Sequence, residues 1–316
     1  MENYIPPYTI SNQIINIIAN ISSLLTEISF TNKEASNPKL RRENRVKTIQ
    51  ASLAIENNTL SLDQVTDIIN GKRILGEPKE ICEVKNAFEA YELLLTLNQY
   101  SIKDLLYIHG ILMKELTNEA GTFRSGSVGI FAGETLVHMA PPPSQVPNLM
   151  INLFHWLKSI KDIHPLIKSC VFHYEFEFIH PFSDGNGRMG RMWQTLLLYN
   201  WNPIFGWLPI ETLIKERQDE YYKILGECDK AADSGKFIEF ILNAIYETLL
   251  EIGKTDQVTE HVTDQVERLI TAIGNDTLTA NEIMEKLNLK HRDTFRKNYL
   301  LPSINEGFVE MTIPGF

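Results

Sequence analysis

Hydrophobic positions recur at helical spacing along most of this chain. Ile10, Ile14, Ile17, Ile18, Ile21, Leu24, Leu25 and Ile28 form one stripe, which predicts an amphipathic helix whose apolar face suits either the core or a subunit contact. A basic run of Lys39, Arg41, Arg42, Arg45 and Lys47 leads into a second helix over about 40–57. Asn57 and Asn58 stop it, since asparagine tolerates the left-handed geometry of a helix C-terminus. Ser61 and Ser101 stand where capping residues belong, and between them Ile81, Val84, Ala87, Ala90, Leu93 and Leu94 line a long core helix. Pro147 and His164-Pro165 open two more helices, and the segments 211–228 and 236–252 each read as one helix closing a bundle. The pattern breaks only between Gly121 and Met139. There glycine and alanine flank two short β-prone runs, 128–131 and 135–139, which predict a small hairpin ended by Pro141-Pro142-Pro143.

The tail follows a different pattern. A linker over 255–265 repeats Thr-Asp-Gln-Val twice, too short a unit for a solenoid. Thr279 and Glu282 make a capping box, residues 290–299 read as a basic helix, and Gly307 to Met311 reads as a strand. This order resembles a winged helix-turn-helix with the basic helix in the recognition position. Yet Thr255 to Phe316 holds ten acidic and six Lys or Arg residues, and a second wing strand is missing. DNA binding therefore ranks below partner docking or homodimer formation.

Composition narrows the class. With 316 residues, the chain can hold one large domain and one small one. A net charge of −10 argues against a surface that attracts nucleic acid or anionic membrane as a whole. The apolar runs are too short to span a bilayer and the first residues, Met1-Glu2-Asn3-Tyr4, are not a signal sequence, so no membrane association and a cytoplasmic location are expected. Cys82, Cys170 and Cys228 are odd in number and far apart, as suits reduced, buried thiols.

The chemistry concentrates in one string, His180-Pro181-Phe182-Ser183-Asp184-Gly185-Asn186-Gly187-Arg188-Met189-Gly190-Arg191, between two apolar helical patterns. Alone, its Gly-Asn-Gly bend would be a turn between core helices. The other residues change that. Glycines followed by a helix start make a nest of N–H groups suited to an anion. Arg188 and Arg191, three apart, share a helical face and reach the same anion. Asp184 suits Mg²⁺, which takes one or two carboxylates with phosphate oxygens. His180 can accept a proton near neutral pH, in its neutral form.

The string resembles the signature of Fic-domain proteins, His-Pro-Phe-x-Asp-Gly-Asn-Gly-Arg-x-x-Arg, with every specified position filled. The resemblance implies a mainly α, Fic-type helical bundle with a β-hairpin flap. It implies a protein adenylyltransferase that moves AMP from ATP, with Mg²⁺, to a Ser, Thr or Tyr hydroxyl of a protein substrate or of itself. In that reading Gly185 and Gly187 cradle the phosphates, Asn186 and Arg188 steady the α- and β-phosphates, Arg191 takes the γ-phosphate, Asp184 holds Mg²⁺ and His180 is the base. Ser52-x-x-x-Glu56-Asn57 resembles the family's inhibitory motif, whose glutamate takes the arginine corresponding to Arg191. Val128, Gly129, Ile130 and Phe131 correspond to the flap strand that docks a target. Tyr221 and Asp229 fall where the family contacts adenosine, although asparagine often stands in place of Asp229. His173 reads as a core histidine. The organisation expected is a helical region 1–60 with an inhibitory helix at about 40–57, a catalytic core 61–254 with the flap at about 124–139, the linker 255–265 and a winged-helix-like domain 266–316. The alternatives are a Fic enzyme that removes AMP or transfers another nucleotidyl or phosphoryl group, and, from a different class, a transcriptional regulator that reads DNA through its tail.

Overall fold

The computed structural model describes the chain apart from residues 1–3, 32–37, 133–134, 257–263, 275, 306–307, 310 and 312–316. Its helices are α1 (Asn12–Thr31), α2 (Pro38–Ile55), α3 (Leu62–Ile69), α4 (Pro78–Leu94), α5 (Ile102–Leu112), α6 (Val146–Ser159), α7 (Pro165–Ile179), α8 (Asn186–Trp201), α9 (Ile210–Glu216), α10 (Gln218–Ala231), α11 (Gly235–Asp256), α12 (Asp264–Ile273), α13 (Ala280–Lys286), α14 (Arg292–Phe295) and α15 (Leu301–Asn305). Contacts divide the chain into two compact units, Met1–Ser23 with Arg45–Thr248, and Leu24–Asn44 with Leu249–Phe316.

The larger unit is built on the antiparallel pair α7 and α8. Both are buried almost all round, including polar side chains such as His173, Glu177, Arg188 and Arg191 that pair inside the core. Phe154, Phe172, Phe176, Phe182 and Trp193 meet ring to ring between α6, α7, α8 and the loop that joins the last two. Three of this unit's helix starts are fixed by side chains. Ser61 and Gln64 form a full capping box, Ser101 Oγ accepts from Asp104 N at 3.2 Å, and His164 Nδ1 accepts from Leu166 N at 3.2 Å. The segment before α1 is extended over the α10–α11 turn. Tyr4 donates to the buried Glu175, Pro7 O accepts from Ser234 N at 3.1 Å, and Thr9 N donates to Asp233 at 3.2 Å.

One antiparallel strand pair interrupts the helices: β1 (Gly129–Ala132) and β2 (Thr135–Met139), with Gly129 opposite Met139, Ile130 opposite His138 and a register shift between Ile130 and Phe131. Periodicity also read 211–228 as a single helix, but it is broken. Arg217, at φ −114° and ψ 34°, separates α9 from α10, and its guanidinium pairs with Glu247 of α11.

The smaller unit has its own core of Leu269, Ile283, Leu287, Phe295 and Tyr299. The expected capping box at Thr279 opens α13. The basic segment is helical from Arg292 through a wider turn at Arg296–Leu300 into α15, with Lys290, Arg292, Arg296 and Lys297 exposed and Phe295 and Tyr299 buried. The strand expected at 307–311 is not found at its described positions. Phe308 and Val309 form a bend, because both N–H groups turn back to Ser303 O, at 2.8 and 3.2 Å, and Val309 packs on the core. Gly307, Glu310 and most of the linker 255–265 lie outside the described residues.

Candidate active site

The six residues between α7 and α8 are shaped by two left-handed backbones. His180 caps α7 at φ 49° and ψ 61°, and Pro181 prevents the helix from continuing. Gly185 caps α8 at φ 84°, where a Cβ would be strained and would meet Met113 Sδ at 2.7 Å. The loop thereby sets His180, Asp184 and the N-terminus of α8 side by side. Asn186 brackets it from within: Oδ1 accepts from Phe182 N at 2.9 Å and Nδ2 donates to Phe182 O at 2.8 Å. That amide is buried and engaged on both sides, so the side chain shapes the loop.

His109 of α5 supports the same loop from below. Its ring stacks on Phe182, centroids 3.6 Å apart. Nδ1 accepts from Gly121 N at 2.9 Å, so the proton sits on Nε2 and is donated to Asp184 O at 3.1 Å. Burial pushes this imidazole down to about 4, and it stays neutral.

The two signature arginines are both buried and both held by carboxylates. Arg188 pairs with Asp184 Oδ1 at 3.0 Å and with Glu83 Oε1 at 3.4 Å. Glu83 Oε2 in turn accepts from Asn58 Nδ2 at 2.8 Å. Arg191 donates from Nε to Ser52 Oγ at 3.1 Å, and from Nη2 to Ser52 O at 3.0 Å and Glu56 Oε1 at 2.8 Å. Burial opposes its charge most strongly, but Glu56, together with Tyr221 and Tyr222, more than offsets this and holds the guanidinium above its ordinary value. Glu56 and Asn57 follow the last residue of α2, with Asn57 left-handed at φ 68°. The end of α2 is gripped by α10, where Gln218 Nε2 donates to Ile55 O at 2.7 Å and Tyr222 reaches the same oxygen at 3.4 Å. A Cβ at Gly187 would be driven into Glu56 Oε1, so the glycine makes the space that the Glu56 carboxylate fills.

Behind His180 lies Glu177, a buried carboxyl pushed up to about 8, first by burial and further by Glu56, against the pull of Arg191. His180 Nδ1 is 3.3 Å from Glu177 O and 3.9 Å from its carboxylate. Donation from Nδ1 to that carbonyl leaves Nε2 as the basic nitrogen. His173 is a core histidine: Nδ1 donates to Gln194 Oε1 at 2.7 Å, and burial pushes the ring down to about 3.

Tyr221, expected at adenosine, is instead fully buried among Tyr222, Phe237 and Phe240, with its hydroxyl 3.3 Å from His173 Nε2. The apolar ring packs with other rings and its one polar atom is taken. Asp229 is half-buried on the last turn of α10. Of the expected docking residues, Val128 O accepts from Ala140 N at 3.3 Å and Gly129 begins β1; the side chains of Ile130 and Phe131 lie outside the described residues. His109, Glu83, Glu177 and Arg124 were not singled out by pattern, and Asn58 only as a helix stop. Glu177, three residues before His180, could have been read from helical spacing; the others act through partners remote in sequence.

The donor set fits a polyphosphate with a hard cation. Arg188 Nε and Arg191 Nη1 are buried donors without a partner among the described residues, and both point to a missing acceptor. Asp184 is 48% exposed, with only Oδ1 engaged, and can present oxygen to Mg²⁺.

Residues 99–198 match the Fic/DOC family, and residues 264–315 match the family described as "Filamentation induced by cAMP protein Fic-like, C-terminal domain". The crystal structure of a Fic family protein from Desulfovibrio desulfuricans G20 is 52% identical, covers 98% of this chain and 94% of its own, and superposes with a TM-score of 0.79. The chain belongs to the Fic family. Among curated Fic relatives, a probable protein adenylyltransferase from Aquifex aeolicus (strain VF5) is 29% identical over 78% of this chain and 76% of its own length. "Protein adenylyltransferase Fic" of Drosophila erecta is 31% identical over 68% of this chain, which spans 43% of that protein.

Proposed function

We propose that this Fic protein is a protein adenylyltransferase held inactive by Glu56. The observation that carries the reading is the contest at Arg191: Glu56 Oε1 pairs with it at 2.8 Å and fills the space that Gly187 leaves open. With Glu56 withdrawn, the N–H groups from Gly185 to Gly187 and the α8 N-terminus bind the phosphates of ATP, Arg188 steadies the α/β region and Arg191 takes the γ-phosphate. Mg²⁺, held by Asp184, would neutralise phosphate charge. His180 Nε2 takes the proton of an acceptor Ser, Thr or Tyr hydroxyl. The hydroxyl oxygen then bonds to the α-phosphorus as the bond to pyrophosphate breaks. Most of the rate arises from placement and charge stabilisation. Residues 1–60 carry the inhibitor, 61–254 the chemistry with β1–β2 as the target-docking flap, and 266–316 a docking or dimerisation function.

Intact and peptide mass spectrometry after incubation of Glu56→Gly protein with ATP and Mg²⁺ tests this. AMP should appear on the protein or on lysate proteins, at a higher level than with the parent chain. Adding His180→Ala should lower transfer about 10²–10⁴-fold, the usual contribution of a general base. Transfer that survives His180→Ala would remove the mechanism, and no gain from Glu56→Gly would remove the inhibition.

A further inference from the structure

Between α5 and β1 lies a buried cation with no acid paired to it among the described residues. Arg124 is 3% exposed. Its guanidinium is solvated by main-chain carbonyls: Nε donates to His180 O at 2.7 Å, Nη1 to Gly126 O at 2.9 Å, and Nη2 to Pro141 O and, at 3.4 Å, to Ile179 O. Its own backbone N donates to Pro181 O at 3.0 Å. A cation is costly to take out of water, and these carbonyls are what makes the site tolerable. Two of them belong to the C-terminal end of α7, where unpaired carbonyls and the helix dipole concentrate negative charge.

The partners fall into two groups. Ile179, His180 and Pro181 form the turn that carries the base, and His180 is held there in a left-handed backbone that a non-glycine residue adopts only under constraint. Gly126 and Pro141 are the two feet of the β1–β2 hairpin, one just before β1 and the other just after β2. We propose that Arg124 is a positioning residue for AMP transfer: it fastens the His180 turn to both feet of the hairpin, so that base and docked acceptor share one frame. This rests on the adenylyltransferase reading given above. The task needs a planar fork of donors; lysine brings the charge but not the geometry. Among the described residues, none of the hydrogen bonds of Arg124 goes to Gly185, Gly187, Arg188 or Arg191, so nucleotide binding should not depend on it.

The test uses the full chain carrying Glu56→Gly, with Arg124→Ala or Arg124→Lys added. The acceptor is the peptide found modified by mass spectrometry. Single-turnover AMP transfer should fall about 10²-fold in Arg124→Ala, the loss expected of roughly 1 Å of misplacement. Calorimetric affinity for MgATP should stay within about twofold. Methylguanidinium should restore part of the transfer in Arg124→Ala, and Arg124→Lys should recover little. Transfer within about threefold of the parent in either variant overturns the proposal, as does a parallel loss of MgATP affinity and transfer, which would mark a general structural role. If Arg124→Ala melts out, Arg124→Lys decides. If the Glu56→Gly parent itself transfers no AMP, the functional reading has failed on its own. The brace is then judged by the ¹⁵N signals of the His180 imidazole in the Arg124→Lys chain: a shift supports it, and unmoved signals overturn it.

Discussion

At the scale of single residues, burial sets the pH response. Glu177, Glu175 and Glu211 are pushed up to about 8, 7 and 7, in each case chiefly by burial. His109 and His173 are pushed down to about 4 and 3 by the same cause. The two sets act with opposite sign. A raised carboxyl keeps its proton in the folded chain where the unfolded chain has released it, so stability declines as pH rises from the ordinary value of 4.5 towards these values. A depressed histidine costs stability as pH falls below its ordinary 6.5, because the unfolded chain gains protons first. Above about 6.5 only the carboxyl effect remains. Thermal melting should therefore show a midpoint that drops between about pH 6.5 and 8, with a shallower drop in Glu177→Gln. An equal drop in that variant would mean Glu177 does not titrate in this window. Ser52 and Glu56 were singled out in the sequence by the resemblance of Ser52-x-x-x-Glu56-Asn57 to the Fic inhibitory motif, since their four-residue spacing alone also suits a solvated helix face, and Arg191 because three-residue spacing joins it to Arg188. Arg124 and His109 were not, since they act on carbonyl and amide groups of the main chain, and nothing in residue identity marks which of those will be near.

Elements were legible where side chains near in sequence decide them. Ser61 with Gln64 and Thr279 with Glu282 satisfy helix N–H groups from within the same turn, and both boxes formed as expected. Thr279→Ala should lower stability by about 1 kcal/mol; amide hydrogen exchange should speed up across α13 first, and unchanged exchange there would show the cap to be idle. Elements decided by remote partners were misread. The apolar spacing of 211–228 gives no sign of a break, yet the backbone leaves helical geometry at Arg217, whose guanidinium pairs with Glu247 of α11. Phe308 and Val309 favour a strand by composition, but Ser303 O captures both N–H groups before a neighbouring strand can. Tyr221 was not legible for a related reason: a tyrosine at helical spacing looks the same whether its hydroxyl meets a ligand or a buried histidine.

Across the whole molecule, charge and helix length limit what the chain can approach. The net charge is −10, and no helix of the described residues is long and apolar enough to cross a membrane. The exposed basic face of Lys290, Arg292, Arg296 and Lys297 sits in a smaller unit whose bend at Phe308 and Val309 takes the place of a wing strand. Duplex DNA should therefore not be retained in a gel-shift series at physiological salt. A retained complex that weakens steeply with rising salt would instead support DNA binding, because neutralised phosphates release counterions.

Glu56 lies one residue beyond the end of α2, in a turn, while Ile55 stays gripped by Gln218 and Tyr222. The carboxylate can leave Arg191 by rotation about its own side-chain bonds, with α2 still wound and still clamped. Such a rotation needs no unwinding of the helix, so its barrier is chiefly that of parting Glu56 from the buried Arg191. On the proposed reading, inhibition by Glu56 would then be a pre-equilibrium: it would weaken the apparent affinity for ATP by the fraction of molecules with Arg191 open, and should introduce no lag before the first transfer.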